Sequence, residues 1–247
     1  MSFRGNPVVV ITGATSGLGL SLSKLFLSKG YQTVGISRTE KNWCTARQET
    51  NTNPRFVLFK TDVTNEIAVR RLFPKIIKKF GEIHVLVNNA GYGGSLSVLD
   101  ETSSKEFHKH ITNNLYSVFL CCKYAVPVFR KQKKGWILNI SSMAGKRAVP
   151  KLAAYSASKF GILALSQSVA KENAGSGFKC VTVCPGGMNT KMRSDLFGTE
   201  DANKQQSPDF VAGVIFKIIN EEIKMESGGD MVIRHGQITS INPAPVA

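Results

Sequence analysis

Short β-branched runs alternate with stretches of helical length from one end of the chain to the other, and this alternation admits few architectures. VVVIT at 8–12, YQTVGIS at 31–37, RFVLFK at 55–60, HVLVNN at 84–89, WILNIS at 136–141, KCVTVC at 179–184 and MVIR at 231–234 read as seven buried strands. Parallel strands need crossovers, and the helical stretches between them supply these. The expectation is an α/β fold: a doubly wound parallel sheet of seven strands with helices on both faces. Its 247 residues contain no internal repeat or low-complexity segment, so 1–247 is expected to form one domain. The least regular stretch is 190–210, polar until SPDF begins a helix with Ser207 as its cap and Pro208 at its first position. Pro74 and Pro127 fall inside predicted helices and are expected to kink them.

The first strand runs directly into TGATSGLG, Thr12 to Gly19, ahead of an apolar helical pattern. Gly13, Gly17 and Gly19 let the backbone turn sharply and approach a pyrophosphate, while the helix that follows aims its free N–H groups at the anion. Thr15, Ser16 and Leu18 belong to the same expected cofactor contact. The residue type after the second strand discriminates between dinucleotides. An acid there would bond a ribose 2′-hydroxyl, whereas an arginine accepts a 2′-phosphate. The chain has ISRTEK, with Ser37 and Arg38 and no acid before Glu40, which favours NADP over NAD.

Net charge is +15, an invitation to a nucleic-acid reading. The lysines, however, gather before glycines in SKG at 28–30, KIIKKFG at 75–81 and FRKQKKG at 129–135. These read as helix C-termini, where cations complement the dipole and glycine supplies a left-handed cap. No aromatic residues are interleaved for base stacking, so nucleic acid is not the expected partner. The five cysteines lack the paired spacing of a zinc site, and no metal is expected; Cys180 and Cys184 are expected to fill one face of a buried strand. No apolar run approaches the length of about 18 residues that crosses a bilayer, and the N-terminal apolar run is too short for a signal-peptide core; a cytoplasmic protein is expected.

Taken in order, TGATSGLG, NNAG at 88–91, NIS at 139–141, YSASK at 155–159 and PGGMNT at 185–190 resemble the short-chain dehydrogenase/reductase family, in its compact members. The resemblance runs from Val8 to about Gly236 and implies a Rossmann-type fold and a homodimer or homotetramer. It implies that Tyr155 and Lys159 are catalytic. Of Ser141 and Ser142 it selects Ser142, thirteen residues before the tyrosine, and of Asn113 and Asn114 it selects Asn114 by register. Asp62 and Val63 resemble the adenine-contacting pair, Asn89, Ala90 and Gly91 the sheet-stabilising, ribose-lining motif, and Pro185, Gly186 and Thr190 the nicotinamide-side contacts. His84 stands where the family often has aspartate, and reads as a surface or edge histidine. His108, His110 and His235 form no ligand pattern.

Hydride transfer to a carbonyl creates an alkoxide, which needs a proton donor beside it. A tyrosine ordinarily holds its proton to about pH 10. Lys159, one turn on along the same face, is expected to favour the phenolate and lower that value. Ser142 would bond the carbonyl oxygen and Asn114 hold a relay water. The expected activity is an NADP-dependent oxidoreductase of a carbonyl or secondary alcohol; the rival from another class is a catalytically silent NADP-binding sensor or scaffold. The pocket walls expected are 92–99, 143–154 and the loop region 187–207.

Overall fold

The computed structural model of the protein describes residues 6–245; residues 1–5 and 246–247 of the expected domain lie outside the described residues. Eight strands form one sheet in the order β3-β2-β1-β4-β5-β6-β7-β8. They are β1 (Val8–Thr12), β2 (Gln32–Ser37), β3 (Phe56–Lys60), β4 (Val85–Asn88), β5 (Gly135–Ile140), β6 (Phe178–Pro185), β7 (Asp230–Arg234) and β8 (Gln237–Asn242). The first seven pair in parallel, as their crossovers require. The eighth corrects the expected count of seven. It pairs antiparallel with β7 through a two-residue turn, in which His235 and Gly236 have φ of 52° and 71°. Positive φ at both central residues is the turn geometry that matches the twist of paired strands.

The helices are α1 (Gly17–Ser28), α2 (Trp43–Glu49), α3 (Glu66–Phe80), α4 (Ser104–His110), α5 (Ser117–Gln132), α6 (Ala153–Glu172), α7 (Lys191–Phe197), α8 (Thr199–Asn203) and α9 (Pro208–Ile219). Successive residues of a strand face opposite sides, so β1 divides between two cores. Val9 and Ile11 pack with Leu18, Leu22 and Phe26 of α1 and with Val211 and Ile215 of α9. Val8 and Val10 pack with Leu72 and Ile76 of α3, Leu120 and Phe129 of α5, and Ile162 of α6. Both faces are therefore dry, and full burial of a side chain such as Leu22 or Phe26 stabilises by about 1.5–3 kcal/mol.

The helix ends follow local chemistry with one difference. Gly30 and Gly81 take φ of 84° and 82° after α1 and α3, as caps should, and Ser207 caps α9 by accepting from the Asp209 N–H at 3.1 Å. After α5 the left-handed residue is Lys133, with φ 53°, and Gly135 instead opens β5, where a Cβ would fall 2.5 Å from the Phe129 ring. Helices α3 and α5 continue through Pro74 and Pro127, so neither proline ends its helix. Between α4 and α5 lies a π-helical segment, Ile111–Tyr116, of which the sequence pattern gives no sign.

His84 is not a surface histidine. It is buried, its Nδ1 accepts from the Val8 N–H at 3.0 Å, and its Nε2 lies 3.2 Å from Glu82 Oε2, so it fastens the start of β4 to the start of β1. Cys180 and Cys184 are buried fillers, and all five cysteines are free thiols. No described helix is long and apolar enough to cross a membrane, and among the described residues no cluster of His, Cys, Asp and Glu could hold a metal.

Candidate active site

The strand order reverses between β1 and β4, and at their C-terminal ends opens a cleft of about 360 Å³. This is the crevice where open α/β sheets take ligands. Its floor is the β1–α1 loop. Gly13 and Gly17 have φ of 67° and 48°, and a Cβ at Gly19 would fall 2.1 Å from the Gly13 carbonyl oxygen. Ser16 is the N-cap of α1 yet makes no side-chain cap bond, which leaves the helix's first N–H groups to a ligand. The loop is tied to β4: Asn89 Nδ2 donates to the Thr12 carbonyl at 2.9 Å, and Thr12 Oγ1 accepts from the Asn89 and Ala90 N–H groups at 3.0 and 2.9 Å. A dinucleotide's pyrophosphate fits this cradle, because side chains at Gly13, Gly17 and Gly19 would meet Ala90, Thr190 and the Gly13 carbonyl and keep the loop from closing beneath the uncapped helix N-terminus.

Gly13, Thr15, Ser16, Gly17, Leu18, Ser37, Arg38, Asp62, Val63, Asn89, Ala90, Gly91, Tyr155, Lys159 and Thr190 all line the cleft; Gly19, Asn114, Ser142, Pro185 and Gly186 are not among its lining residues. At the outer end Ser37 Oγ donates to the Thr39 carbonyl at 2.7 Å, and Arg38 is exposed with Nη1 3.4 Å from Asn113 Oδ1. Asp62 is turned onto Thr64, accepting from its N–H at 2.9 Å and its hydroxyl at 2.7 Å. Glu40 pairs with Lys60 at 3.3 Å. Thus the outer end carries a guanidinium, and its nearby carboxylates are engaged.

At the inner end β5 and α6 bring Ser142, Tyr155 and Lys159 together. Ser142 caps the turn 143–145 by accepting from the Ala144 N–H at 3.1 Å, and its hydroxyl lies close enough to Tyr155 to favour the phenolate. Ser141 lines the cleft and donates to the Lys159 carbonyl at 2.9 Å, whereas Ser142 is not among the residues lining it. Lys159 is 4% exposed; its Nζ donates to the Ile140 carbonyl at 3.0 Å and lies 5.7 Å from the Tyr155 ring centroid. Burial lowers Lys159 to about 8, so it remains mostly protonated at pH 7. Burial pushes the Tyr155 hydroxyl above its ordinary range, opposed by the nearby Ser142 hydroxyl. This differs from the expectation that Lys159 would bring the tyrosine down. Both groups are desolvated, and for the tyrosine the loss of water is the largest influence.

Asn114 is fully buried behind Gly91. Its Oδ1 accepts from the Tyr92 N–H at 2.6 Å, and its Nδ2 donates to the Tyr92 carbonyl and to Ser158 Oγ, each at 3.0 Å. Its neighbour Asn113 lines the cleft instead. The segment 187–207 is more ordered than its composition suggests: it holds α7 and α8, a bridge between Met188 and Gln206, and an Arg193–Asp201 ion pair with Nη2 to Oδ2 at 3.0 Å. Tyr155 also borders a second cavity of about 240 Å³, lined by Ser95, Glu101, Glu106 and His110 among others. His110 carries no motif of its own in the sequence, although it precedes Asn114 by four residues, the spacing that puts two side chains on one helix face.

A protein-family comparison gives the same assignment. The family described as short chain dehydrogenase matches residues 7–201. A 3beta-hydroxysteroid dehydrogenase of Mediterraneibacter gnavus is 35% identical over 188 residues, covering 75% of this chain and 67% of its own. An NADPH-dependent pterin aldehyde reductase of Arabidopsis thaliana is 29% identical over 225 residues, 91% of this chain and 92% of its own. Among solved structures, ElxO with NADP bound superposes with a TM-score of 0.86 at 29% identity, covering 93% of this chain and 97% of that one. The chain belongs to the short-chain dehydrogenase/reductase family. It is a nicotinamide-dependent oxidoreductase with a small-molecule substrate.

Proposed function

We propose that the protein is an NADP(H)-dependent oxidoreductase of a carbonyl or secondary-alcohol substrate, with Tyr155 as its general acid and base. The observation that carries this reading is one cleft with Tyr155 and Lys159 at its inner end, Ser142 beside Tyr155, and Arg38, without a free carboxylate, at its outer end. The glycine loop would hold the pyrophosphate, Ser37 and Arg38 the 2′-phosphate, Asp62 and Val63 the adenine side, and Asn89, Gly91, Lys159, Pro185, Gly186 and Thr190 the nicotinamide half. The bound dinucleotide supplies or accepts the hydride at the substrate carbon. Ser142 orients the substrate oxygen, and Tyr155 Oη gives that oxygen a proton in reduction and takes it in oxidation. The Lys159 cation stabilises the phenolate left behind, and Asn114 fixes the wall at Tyr92.

The NADPH dependence of the pterin aldehyde reductase and the NADP bound to ElxO support the cofactor choice. Chain 1–247 is proposed as one domain with its substrate region at 187–207. Free thiols favour a cytoplasmic setting. Exposed Phe107, Tyr116, Phe119 and Phe160 on and beside α4 to α6 favour a homodimer or homotetramer.

NADPH oxidation against ketones, 3-oxoacyl thioesters, steroids and aldehydes tests the reading. Tyr155→Phe is expected to abolish turnover and keep NADPH binding, and Arg38→Asp to move preference towards NADH. Full activity in the first variant, or an unaltered NADPH/NADH ratio in the second, refutes the corresponding assignment.

A further inference from the structure

Next to this cluster stands a buried histidine that the proposed reaction leaves unused. His110 closes α4 and is 2% exposed. Its Nδ1 lies 3.5 Å from Asn114 Nδ2, its Nε2 lies 3.5 Å from Glu106 Oε1, and its ring meets that of Tyr155 edge-on with centroids 6.0 Å apart. The Tyr92 ring is 5.0 Å away on another side. Over the imidazole runs the backbone of Gly94, so close that a Cβ there would fall 2.3 Å from Nε2.

These neighbours fix the tautomer. The orientation of the Asn114 amide is set by the Tyr92 N–H at its oxygen and by Ser158 Oγ and the Tyr92 carbonyl at its nitrogen. Ser158 Oγ in turn donates to the Tyr155 carbonyl at 2.7 Å. Both Asn114 amide hydrogens are thereby taken and their nitrogen meets Nδ1 only at 3.5 Å; the Glu106 carboxylate, which can only accept, places the ring proton on Nε2 and leaves the lone pair on Nδ1. Glu106 also accepts from the Tyr92 hydroxyl at 2.8 Å. One imidazole thus touches Tyr155, Asn114 and the 92–97 wall of the substrate site.

We propose that His110, oriented by Glu106, is a positioning residue: as the neutral Nε2–H tautomer it fixes the Tyr155 ring and the Asn114 amide and clamps the 92–97 wall. The proposal rests on Tyr155 being the acid–base group. A proton on Nδ1 would set donor against donor at Asn114, turn the amide and release Tyr92. Around the ring, Glu106 favours the cation, while burial, Lys109 on the same helix and Lys159 on α6 oppose it; the balance lowers His110 below its ordinary value. Glu101 and Lys151 border the same cavity, one favouring and one opposing a cation there, and the tyrosine hydroxyls of Tyr92 and Tyr155 complete the titratable groups about it.

The test uses NADPH with p-nitrobenzaldehyde as the probe carbonyl. His110→Phe keeps a ring and removes both nitrogens; Glu106→Gln keeps an acceptor for Tyr92 and removes the charge. His110→Phe is expected to lower kcat by about ten- to a hundredfold, the effect of misplacing a reacting group by up to ~1 Å, with the KM for NADPH within about twofold. The wild-type rate falls at acid pH as His110 protonates. This limb disappears in His110→Phe and moves to lower pH in Glu106→Gln, because the carboxylate that favours the cation is gone. Independently of turnover, the tyrosinate absorption lost in Tyr155→Phe isolates the titration of Tyr155. It is expected at higher pH in His110→Phe, where an apolar ring replaces a polar one. If no carbonyl is turned over, the acid–base reading fails while this titration still decides the role of His110. An unchanged kcat, acid limb and tyrosine titration in folded His110→Phe overturn the proposal. Should that variant not fold, an acid limb that stays in place in Glu106→Gln overturns it.

Discussion

Gly19→Ala puts the phosphate cradle to a quantitative test. The added methyl would sit 2.1 Å from the Gly13 carbonyl oxygen and 2.7 Å from Asn89 Nδ2. A carbon–oxygen contact begins at roughly 3.3 Å, so a gap of about 1.2 Å must open. Neither neighbour is a flexible side-chain end: the carbonyl is backbone, and Asn89 Nδ2 is held by the Thr12 carbonyl at 2.9 Å. Overpacking of this kind costs about 1–3 kcal/mol. The loop can relieve it by moving away from α1, but NADPH requires the closed loop, so binding must restore the strain. Its Kd is then expected to rise by about fivefold to 150-fold, the equivalent of that energy. Gly19 itself has no positive φ, so alanine there is strained by contact and not by conformation. Gly81→Ala is the matched control, with φ 82° and nothing within 4 Å of its Cβ. It should lose about 1–2 kcal/mol of stability as a left-handed alanine and bind NADPH normally. NADPH fluorescence titration beside urea unfolding separates the two effects. A Gly19→Ala protein with wild-type affinity and stability would refute the steric reading of the cradle.

Two further outcomes concern buried cations and imidazoles. Lys159 loses its charge as pH rises through about 8, so kcat/KM for reduction, which reports the free enzyme, should fall on an alkaline limb near that value. A profile flat to well above it would show that the lysine's charge does not assist the proton transfer. His84→Ala removes the acceptor from the Val8 N–H, and should cost about 1–3 kcal/mol in urea unfolding. Burial lowers the folded His84 below the unfolded value of about 6.5, so its protonation favours unfolding. Its contribution is complete above that pH and is lost as pH falls through the folded value; an acid dependence unchanged in His84→Ala would contradict this.

The strands are legible where burial on both faces makes them apolar at every position. VVVIT maps onto β1 residue for residue, since Val8 and Val10 serve one core and Val9 and Ile11 the other. β8 is hidden because QITSIN alternates between exposed and half-buried positions and follows His-Gly rather than the usual Asn-Gly turn. His84 reads as a surface residue because its type is common there, and only the parallel pairing of β1 with β4 brings the Val8 N–H to it. The order in 187–207 likewise depends on contacts across the segment, the Thr190 cap on Arg193 and the Arg193–Asp201 pair, which spacing does not announce. The cleft residues are legible because glycine loops and the Tyr-x-x-x-Lys spacing act locally; Thr39, Asn42, Met188 and Met192 join them only through tertiary approach.

The π-helical segment 111–116 explains why two adjacent asparagines serve different neighbours. A π turn holds more residues than an α turn and shifts the register of side chains beyond it, at the expense of regular carbonyl pairing. Here side chains take up backbone carbonyls on either side: Asn113 Nδ2 donates to Lys109 at 2.8 Å, and Ser117 Oγ donates to Asn113 at 2.7 Å. The result turns Asn113 towards Arg38 at the cofactor end and Asn114 inward to Tyr92 and Ser158. A sequence register selects one asparagine or the other. The widened turn gives each a separate task, and sets His110 at the junction where the cofactor wall, the substrate wall and Tyr155 meet.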